Sequence, residues 1–333
     1  MGDPVGRACI TPTSELRYLM CSDGIRLVVD KNRFDEMFVF LSINFGTFRQ
    51  RVESAATGST RKRIGLNTLR QLPLEIPDRA EQQKIADCLS SLDGLIAAEG
   101  RKLEALKAHK KGLMQQLFPQ PGQTRPRLRF PEFRDKGDWE TIILGDVVSI
   151  SKGKGIAKSD VGVGGTTPCI RYAELYTIYG EVITHIHSYT DEPVDTLVLS
   201  QAGDVIIPAS GETKEEIATC GCVMNAGVAL GSDLNVLRSD IDGRFFSYYL
   251  NGVQRSELAK VAQGDTVAHL YPAQISRLSI CIAEEPAEQQ KIASCLTTLN
   301  TRITAQAEKI DALKTHKRGL MQQLFPSLKE LET

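Results

Sequence analysis

Two stretches of the chain are nearly the same sequence: AEQQKIADCLSSLDGLIAAEGRKLEALKAHKKGLMQQLFP at Ala80–Pro119 and AEQQKIASCLTTLNTRITAQAEKIDALKTHKRGLMQQLFP at Ala287–Pro326. They align without a gap at an offset of 207 residues, and 26 of 40 positions are identical. The first stretch separates two unlike regions, and the second follows the central one. This alternation of variable region and repeat predicts approximate internal twofold symmetry.

Apolar residues recur in both stretches at alternating steps of four and three, which is the spacing of a coiled-coil seam. Prolines precede and end each stretch, so each predicts one helix of about 35 to 38 residues, roughly 55 Å long at 1.5 Å per residue. The two seams place polar residues at the same two steps. They read Ile85, Leu89, Leu92, Ile96, Glu99, Leu103, Leu106, Lys110, Leu113, Leu117 and Ile292, Leu296, Leu299, Ile303, Gln306, Ile310, Leu313, Lys317, Leu320, Leu324.

The connection between the helices favours antiparallel pairing. The central region leaves the C-terminal end of the first helix and enters the N-terminal end of the second. Parallel helices would force it to bridge the whole helix length, whereas antiparallel helices bring its two ends together. We therefore expect a caliper, with the central region at one end of a helical rod and the N-terminal region at the other.

Composition sets broad limits. At 333 residues, with 41% hydrophobic and 24% charged residues, the chain is long enough for two ordinary domains. The sequence lacks a signal-peptide pattern and any long apolar run, so we expect no membrane association and a cytoplasmic location. Eight scattered cysteines fit reduced thiols better than disulfides. A net charge of −1 argues against a protein that coats nucleic acid, so any nucleic-acid contact must come from local basic clusters.

The regions outside the helices predict an α+β fold. The central region opens with WETIILGDVVSISKGKG, a strand followed by a basic loop, and continues with short apolar segments separated by glycine or aspartate turns. FFSYYLNGVQRSELAKVA has the pattern of an amphipathic helix. The predicted organisation is a partial first head at 1–79, a helix at 80–119, a linker at 120–138, a second head at 139–286, a helix at 287–326 and a tail at 327–333.

A weaker similarity links the ends of the two heads. AATGSTRKRIGLNTLRQLPLEIP in the N-terminal region matches VAQGDTVAHLYPAQISRLSICIAEEP in the central region when one residue of slippage is allowed. At the helix offset, Met1 corresponds to a position near Pro208. The first head therefore lacks a counterpart of roughly the first 70 residues of the second and is expected to be truncated.

These motifs carry a resemblance to a known family. A variable region ending in a GxT stretch, then a strand, EQQKIA, a leucine-spaced helix and GLMQQLFP, all occurring twice, resembles the specificity subunit of type I restriction–modification systems. The similarity covers nearly the whole chain. It implies a non-catalytic subunit whose target-recognition domains each read half of a bipartite double-stranded DNA site. It also implies that the helices space these domains and dock two methyltransferase subunits, and that the assembly recruits an endonuclease and translocase subunit.

Candidate DNA contacts follow from local charge and from this resemblance. Lysines on the glycine-rich loop and an arginine in PCIRYAEL are one group, for which a solvated surface loop is the competing interpretation. GDTVAHLY lies where the resemblance implies a DNA-facing loop, and GSTRKR is its N-terminal equivalent. The turn SGETK is a lower-ranked candidate. The predicted residues are Lys152, Lys154, Lys158, Arg171, Thr266 and His269 in the central head and Thr60, Arg61, Lys62 and Arg63 in the N-terminal region.

The glutamines that recur outside the seam predict two equivalent partner surfaces. A solvated helix face has no need to match its duplicate, although a recent duplication would also leave such identity. The predicted partner-binding residues are Gln82, Gln83, Gln115, Gln116, Gln289, Gln290, Gln322 and Gln323.

Catalytic chemistry finds little support in the sequence. The chain has no NPPY-like tetrapeptide, no cofactor loop and no GxxxxGK[ST] motif, so we expect no catalytic residues and no cofactor. His185 and His187 share a strand face but lack further spaced ligands, so we expect no metal site.

Three possibilities stay open for the short first head. The chain reads one half-site, two copies associate so that two central heads face outward, or an upstream segment is missing. The alternative from another functional class is a coiled-coil scaffold or regulatory protein that does not read DNA selectively.

Overall fold

The computed structural model describes residues 5–325 except for 13, 15–16, 21–23, 60–61, 163 and 265–266. Two compact units emerge from it. The first comprises described residues of 1–104 and 305–333, and the second comprises 105–304. The division passes through both long helices, because each unit uses the first half of one helix and the second half of the other.

The described chain combines helices with short strands. Its helices are α1 Glu36–Asn44, α2 Gly46–Ala55, α3 Leu66–Gln71, α4 Arg79–Leu117, α5 Leu144–Val147, α6 Glu174–Thr177, α7 Lys214–Ile217, α8 Gly243–Gly252, α9 Arg255–Val261, α10 Pro272–Ile275 and α11 Pro286–Leu324. Its strands are β1 Glu140–Ile143, β2 Ser149–Lys152, β3 Thr167–Ile170, β4 Val182–Ile183, β5 Ser188–Thr190, β6 Asp204–Pro208, β7 Ser210–Gly211, β8 Gly221–Val223, β9 Ala229–Leu230, β10 Leu234–Arg238, β11 Ala268–His269 and β12 Ser279–Ile282.

The two predicted long helices are confirmed as α4 and α11. Each has 39 residues, and their bounds differ by the same 207 positions that relate the sequences. Every predicted seam residue of both helices is buried or half-buried. Local periodicity was sufficient to find them because the seam residues bury one continuous stripe.

The helix segments pair antiparallel, as predicted. In the first unit, Glu99 contacts Gln306 while Asp93, one and a half turns earlier in α4, contacts Lys317, which lies later in α11. Contacts that advance along one helix and retreat along the other require opposite directions. The coiled coil in the predicted fold is therefore antiparallel.

The second unit is built on a mixed sheet with the order β2, β10, β6, β8, β4. All neighbours are antiparallel except β4 and β8, which are parallel. Burial of all five residues of β6 shows that both faces of the sheet are covered. One face packs against α8, whose Phe245 and Tyr249 meet Phe118 at the end of α4. The α+β prediction is confirmed.

The linker after α4 is fixed to the start of α11 by an ion pair. Arg129 donates from Nε and from a terminal nitrogen to the two carboxylate oxygens of Glu288, each at 2.7 Å. Both side chains are buried. The basic linker is therefore fixed within the second unit, since a bidentate pair restrains both position and orientation.

The N-terminal region contains α1, α2 and α3, and its described residues form no named strand. Its helix α1 corresponds to α8 at the 207-residue offset, and the caps match: Asp35 caps α1 and Asp242 caps α8. The aromatic contacts match too, because Phe38 meets Phe325 with 5.7 Å between ring centroids and Phe245 meets Phe118 at 5.4 Å. The described residues of this region thus repeat helices of the central head and form no counterpart of its sheet.

Candidate nucleic-acid interface and partner surface

Three side chains of the second unit form a cation and aromatic cluster at the surface, which we call the 152–269–271 cluster; Lys152 and Tyr271 are exposed and His269 is half-buried. The Lys152 ammonium, at the end of β2, lies 5.6 Å from the centre of the Tyr271 ring. The His269 ring stacks on the same Tyr271 ring, with 6.0 Å between ring centroids and 19° between ring planes. Tyr271 is 44% exposed. The cluster offers positive charge and a flat aromatic surface to a ligand in solvent.

The local backbone explains how the cluster is assembled. Strand β11 pairs with β7, which sets His269 opposite Ser210 of the SGETK turn. The turn before β11 is closed by reciprocal backbone bonds between Gln263 and His269. Gly264 has φ +104°, and a Cβ there would lie 2.1 Å from the Val267 carbonyl oxygen. Only glycine fits this turn without moving its backbone.

The glycine-rich loop after β2 is anchored rather than loose. Gly153 donates to the Leu234 carbonyl at 2.9 Å, and Lys154 donates to the Leu230 carbonyl at 2.8 Å. A Cβ on Gly153 would meet the Gly231 carbonyl oxygen at 2.1 Å, so the close approach requires glycine. The Lys154 and Lys158 side chains are exposed, with Lys158 opening a short 3₁₀ helix. The loop therefore presents lysines from a positioned backbone.

Arg171 has a different environment from the one predicted. Its side chain is 24% exposed and lies 3.9 Å from the buried Glu174 carboxylate. Its backbone N–H also bonds Glu174. The expectation that Arg171 presents its charge to DNA is not carried forward, because the arginine packs against the carboxylate that balances it.

The basic turn of the N-terminal region is closed by the same pair of backbone bonds as the turn before β11. Thr57 and Arg63 exchange backbone hydrogen bonds of 2.9 and 2.8 Å, as Gln263 and His269 do 206 residues later. Gly58 has φ +113°, matching Gly264. Lys62 and Arg63 are exposed, whereas Thr60, Arg61 and Thr266 lie outside the described residues. The one-residue slippage in the sequence similarity is therefore real in three dimensions.

Two of the predicted partner-binding glutamines lie inside the molecule. Gln82 is 1% exposed and accepts a 2.8 Å bond from the Asp35 N–H; Gln289 is 5% exposed and accepts a 2.9 Å bond from the Asp242 N–H. Each also donates to a backbone carbonyl, that of Pro77 or Ala283. The prediction that these two face outward was wrong. They tie each head to its helix, and this internal role explains why they recur.

The other predicted glutamines are exposed on the helices. Beside one of them, Gln115, the second unit has a cleft that is also lined by Lys107, Lys111, Met114 and Arg255. Five α4 residues line it, because Lys110 is also present. Their counterparts in α11 are of the same type or the same charge: Lys314, Lys317, Arg318, Met321 and Gln322. The exposed glutamines at the beginning and end of the two helices are Gln83, Gln115, Gln116, Gln290, Gln322 and Gln323.

Sequence reasoning missed Tyr271, which joins Lys152 to His269. The signal available was an aromatic residue two positions after a turn that resembled a DNA-facing loop. Among the described residues, no three or more histidine, cysteine, aspartate or glutamate side chains converge as a metal site would require. None of the described helices has a stretch long and apolar enough to span a lipid bilayer.

Comparison with known proteins places these features in context. The model of the type I restriction modification DNA specificity domain matches residues 3–108 and 136–315. The specificity subunit of the type I restriction enzyme MjaIX from Methanocaldococcus jannaschii is 23% identical over 338 residues, covering 96% of this chain and 77% of that protein. The MjaVIII specificity subunit of the same organism is 23% identical over 192 residues, covering 57% of this chain and 44% of that protein.

A solved structure shares the fold. The S subunit of a type I restriction–modification system from M. genitalium superposes with a TM-score of 0.59 at 17% identity, covering 89% of this chain and 74% of that chain. The chain spans 44% and 60% of the length of two curated relatives it matches.

Proposed function

Because the chain belongs to the type I restriction–modification DNA specificity family, we propose that it is a non-catalytic subunit that reads DNA sequence for a restriction–modification complex. The observation that carries this proposal is the 152–269–271 cluster, exposed on the unit that holds the whole central head. The central head is the principal reader. The subunit works in the cytoplasm on double-stranded DNA.

The cluster suits the division of work at a protein–DNA interface. Lys152, Lys154 and Lys158 supply cations for phosphates, and phosphate contacts set the register of a protein on the duplex. His269 and Tyr271 carry hydrogen-bonding groups and an aromatic surface that base edges can meet in a groove. Lys62 and Arg63 on the matching N-terminal turn add phosphate contacts from the first region.

The repeated helix exteriors are the proposed docking surfaces for methyltransferase subunits. Six exposed glutamines lie on α4 and α11, and the α4 residues of the Gln115 cleft have counterparts of similar type in α11, which suits two copies of one partner. The endonuclease and translocase subunit joins this assembly, as the family membership suggests. The specificity subunit itself contributes recognition and spacing.

Methylation mapping tests the proposal. The chain is purified with its cognate methyltransferase subunit, its mass is measured in solution, and methylated positions are mapped on a DNA library. We expect a defined interrupted target. An asymmetric target would mean that the N-terminal region also reads DNA, whereas a palindromic target from a dimer would assign all reading to the central head.

Two triple variants with the same loss of positive charge distinguish sequence-selective DNA binding from general electrostatic attraction to DNA. K152A/K154A/K158A should lose selective duplex binding, whereas K84A/R101A/K102A, with the same loss of charge on exposed helix positions, should retain it. Equal losses in both triple variants would contradict the proposed interface.

A scaffold without selective reading is the second candidate, and exposed apolar residues in the N-terminal region favour it. Leu19, Leu27 and Val28 are 104%, 61% and 73% exposed, as expected for a head without its sheet. Methyltransferase binding with no selectivity among duplexes would establish this alternative.

A further inference from the structure

A lysine occupies the same seam position in both long helices, and each copy pairs with a carboxylate from a different part of the chain. Lys317 of α11 pairs with Asp93 of α4, so that both members belong to the helices. Lys110 is the equivalent of Lys317, and Asn300 is the equivalent of Asp93. Since Asn300 carries no charge, the α4 lysine obtains its carboxylate from elsewhere. The partner is Glu181 of the central head.

Glu181 connects the head to both helices at once. One carboxylate oxygen accepts from Lys110 of α4 at 2.5 Å, and the other accepts from the Asn300 amide of α11 at 3.1 Å. The Glu181 carbonyl accepts from the Cys222 N–H at 2.9 Å, which fixes this residue to strand β8 of the sheet. A single side chain thus joins the five-stranded sheet to the helix pair.

Helix α8 completes the surroundings of this carboxylate. Asn300 also donates to the Tyr248 hydroxyl at 3.0 Å, and the Lys110 ammonium lies 5.5 Å from the Tyr248 ring centre. Burial acts to raise the pKa of Glu181. The charge of Lys110 and the hydrogen bonds to the carboxylate lower the pKa by more than burial raises it, so it lies below its ordinary value. Glu181 is therefore negatively charged at neutral pH and forms an ion pair with the half-buried Lys110.

We propose that Glu181 is a positioning residue that sets the orientation of the central recognition domain on the helix pair. It thereby sets the register in which that domain's half-site is read. The inference rests on the proposed function. A carboxylate with charge-assisted bonds to two different helices restrains rotation of the head, which one contact cannot do. Register is sensitive to this restraint, because successive base pairs are separated by only about 3.4 Å.

Three variants separate positioning from charge balance. E181Q removes the negative charge and keeps the shape of the side chain. E181Q/N300D returns a carboxylate to Lys110 from the helix, copying the arrangement of Asp93 and Lys317, without a charged link to the head. D93N is the matched control, because it removes the carboxylate from the equivalent lysine where no head residue is involved.

Two measurements are made on the purified complex with its methyltransferase subunit. Spin labels on a ketone-bearing noncanonical amino acid at the exposed positions 189 and 105 report the distance distribution between head and α4. Affinity is also measured for duplexes in which the half-site of the central domain is shifted by one base pair. Thermal unfolding of each variant gives the stability reference.

E181Q and E181Q/N300D should both broaden the distance distribution and lower discrimination against the shifted site by roughly tenfold, the order of one mismatched base pair. E181Q/N300D should recover the thermal stability lost in E181Q. Recovery of the narrow distribution and of discrimination in E181Q/N300D would overturn the proposal, since charge balance alone would then suffice. An effect of D93N on head orientation equal to that of E181Q would overturn it as well.

Failure of the proposed function gives a different result. A wild-type complex that does not discriminate among duplexes would remove the DNA-reading assignment. The distance distributions would still decide whether Glu181 holds the head.

Discussion

Gln306 donates its side-chain amide to the Glu99 carboxylate at 2.6 Å, and the two residues are 207 positions apart, so each is the other's equivalent in the repeat. When a residue pairs with its own equivalent in an antiparallel pair, the local symmetry axis of the two helices passes between them. Gln306 also donates to the Glu99 carbonyl, and Lys309 donates to the carboxylate. The hydrogen bonds that Lys309 and Gln306 donate to the carboxylate lower the pKa of Glu99.

This polar pair should specify register at a cost in stability. We expect E99L/Q306L to raise the midpoint of thermal unfolding by about 2–4 °C, because apolar residues pack in a seam without desolvated polar groups. The single variant Q306L should lower it, since Glu99 loses its amide partner. Thermal unfolding by circular dichroism measures both. A double variant less stable than wild type would show that the pair stabilises the seam outright.

The buried glutamines should each stabilise their own unit. We expect Q82A and Q289A to reduce the free energy of unfolding by about 1–3 kcal/mol each, because each leaves a buried backbone N–H, that of Asp35 or Asp242, without a partner. Urea unfolding measures this loss. The neighbouring exposed glutamines supply matched controls: Q83A and Q290A should stay within about 0.5 kcal/mol of wild type. Equal effects at buried and exposed positions would contradict the assignment.

The proposed interface should be visible in the salt dependence of DNA binding. Lys152→Ala should reduce the slope of log affinity against log salt by about 1, as expected for one lost phosphate contact. Y271A should weaken binding with little change in slope, and Y271F should retain the aromatic contact. Fluorescence anisotropy at several salt concentrations supplies the slopes. An unchanged slope in K152A would exclude Lys152 from phosphate contact.

The turn before β11 should depend on its glycine. Gly264→Ala should destabilise the second unit by about 1 kcal/mol or more, because alanine is strained at φ +104° and its Cβ would meet the Val267 carbonyl oxygen. Gly162→Ala is the control, since no atom lies within 4 Å of a Cβ there and its φ is not positive. Chemical unfolding compares the two. Equal stability would show that the turn relaxes freely.

Thiol reactivity should follow burial. Burial raises the pKa of Cys169 to about 11 and that of Cys222 to about 12, so at pH 8 roughly one in 10³ or fewer of these groups is thiolate, the reactive form. Cys9 and Cys88 are exposed. Brief alkylation at pH 8 with mass spectrometry should modify Cys9 and Cys88 well before Cys169 and Cys222. Early modification of Cys169 would show that the central head opens readily.

The sequence indicated several residues of the proposed DNA interface. It could not show which of them present their side chains to solvent and which contact one another. Local charge and glycine content correctly indicated exposed lysines at 152, 154 and 158. The same reasoning gave no weight to Glu174, three residues after Arg171, whose carboxylate lies 3.9 Å from the arginine side chain. It also missed Tyr271, whose contact with Lys152 joins positions more than 100 residues apart.

By itself, the sequence determined the two long helices, their seam, their antiparallel pairing and the α+β character of the heads. Those features follow from periodicity, repeat offset and chain connectivity, which are local or topological properties. Only the tertiary structure decided that Gln82 and Gln289 turn inward, that Lys152, His269 and Tyr271 meet, and that Glu181 supplies the carboxylate Asn300 lacks. The burial and partners of a single polar side chain depend on which distant segment packs over it, and no local pattern encodes that segment.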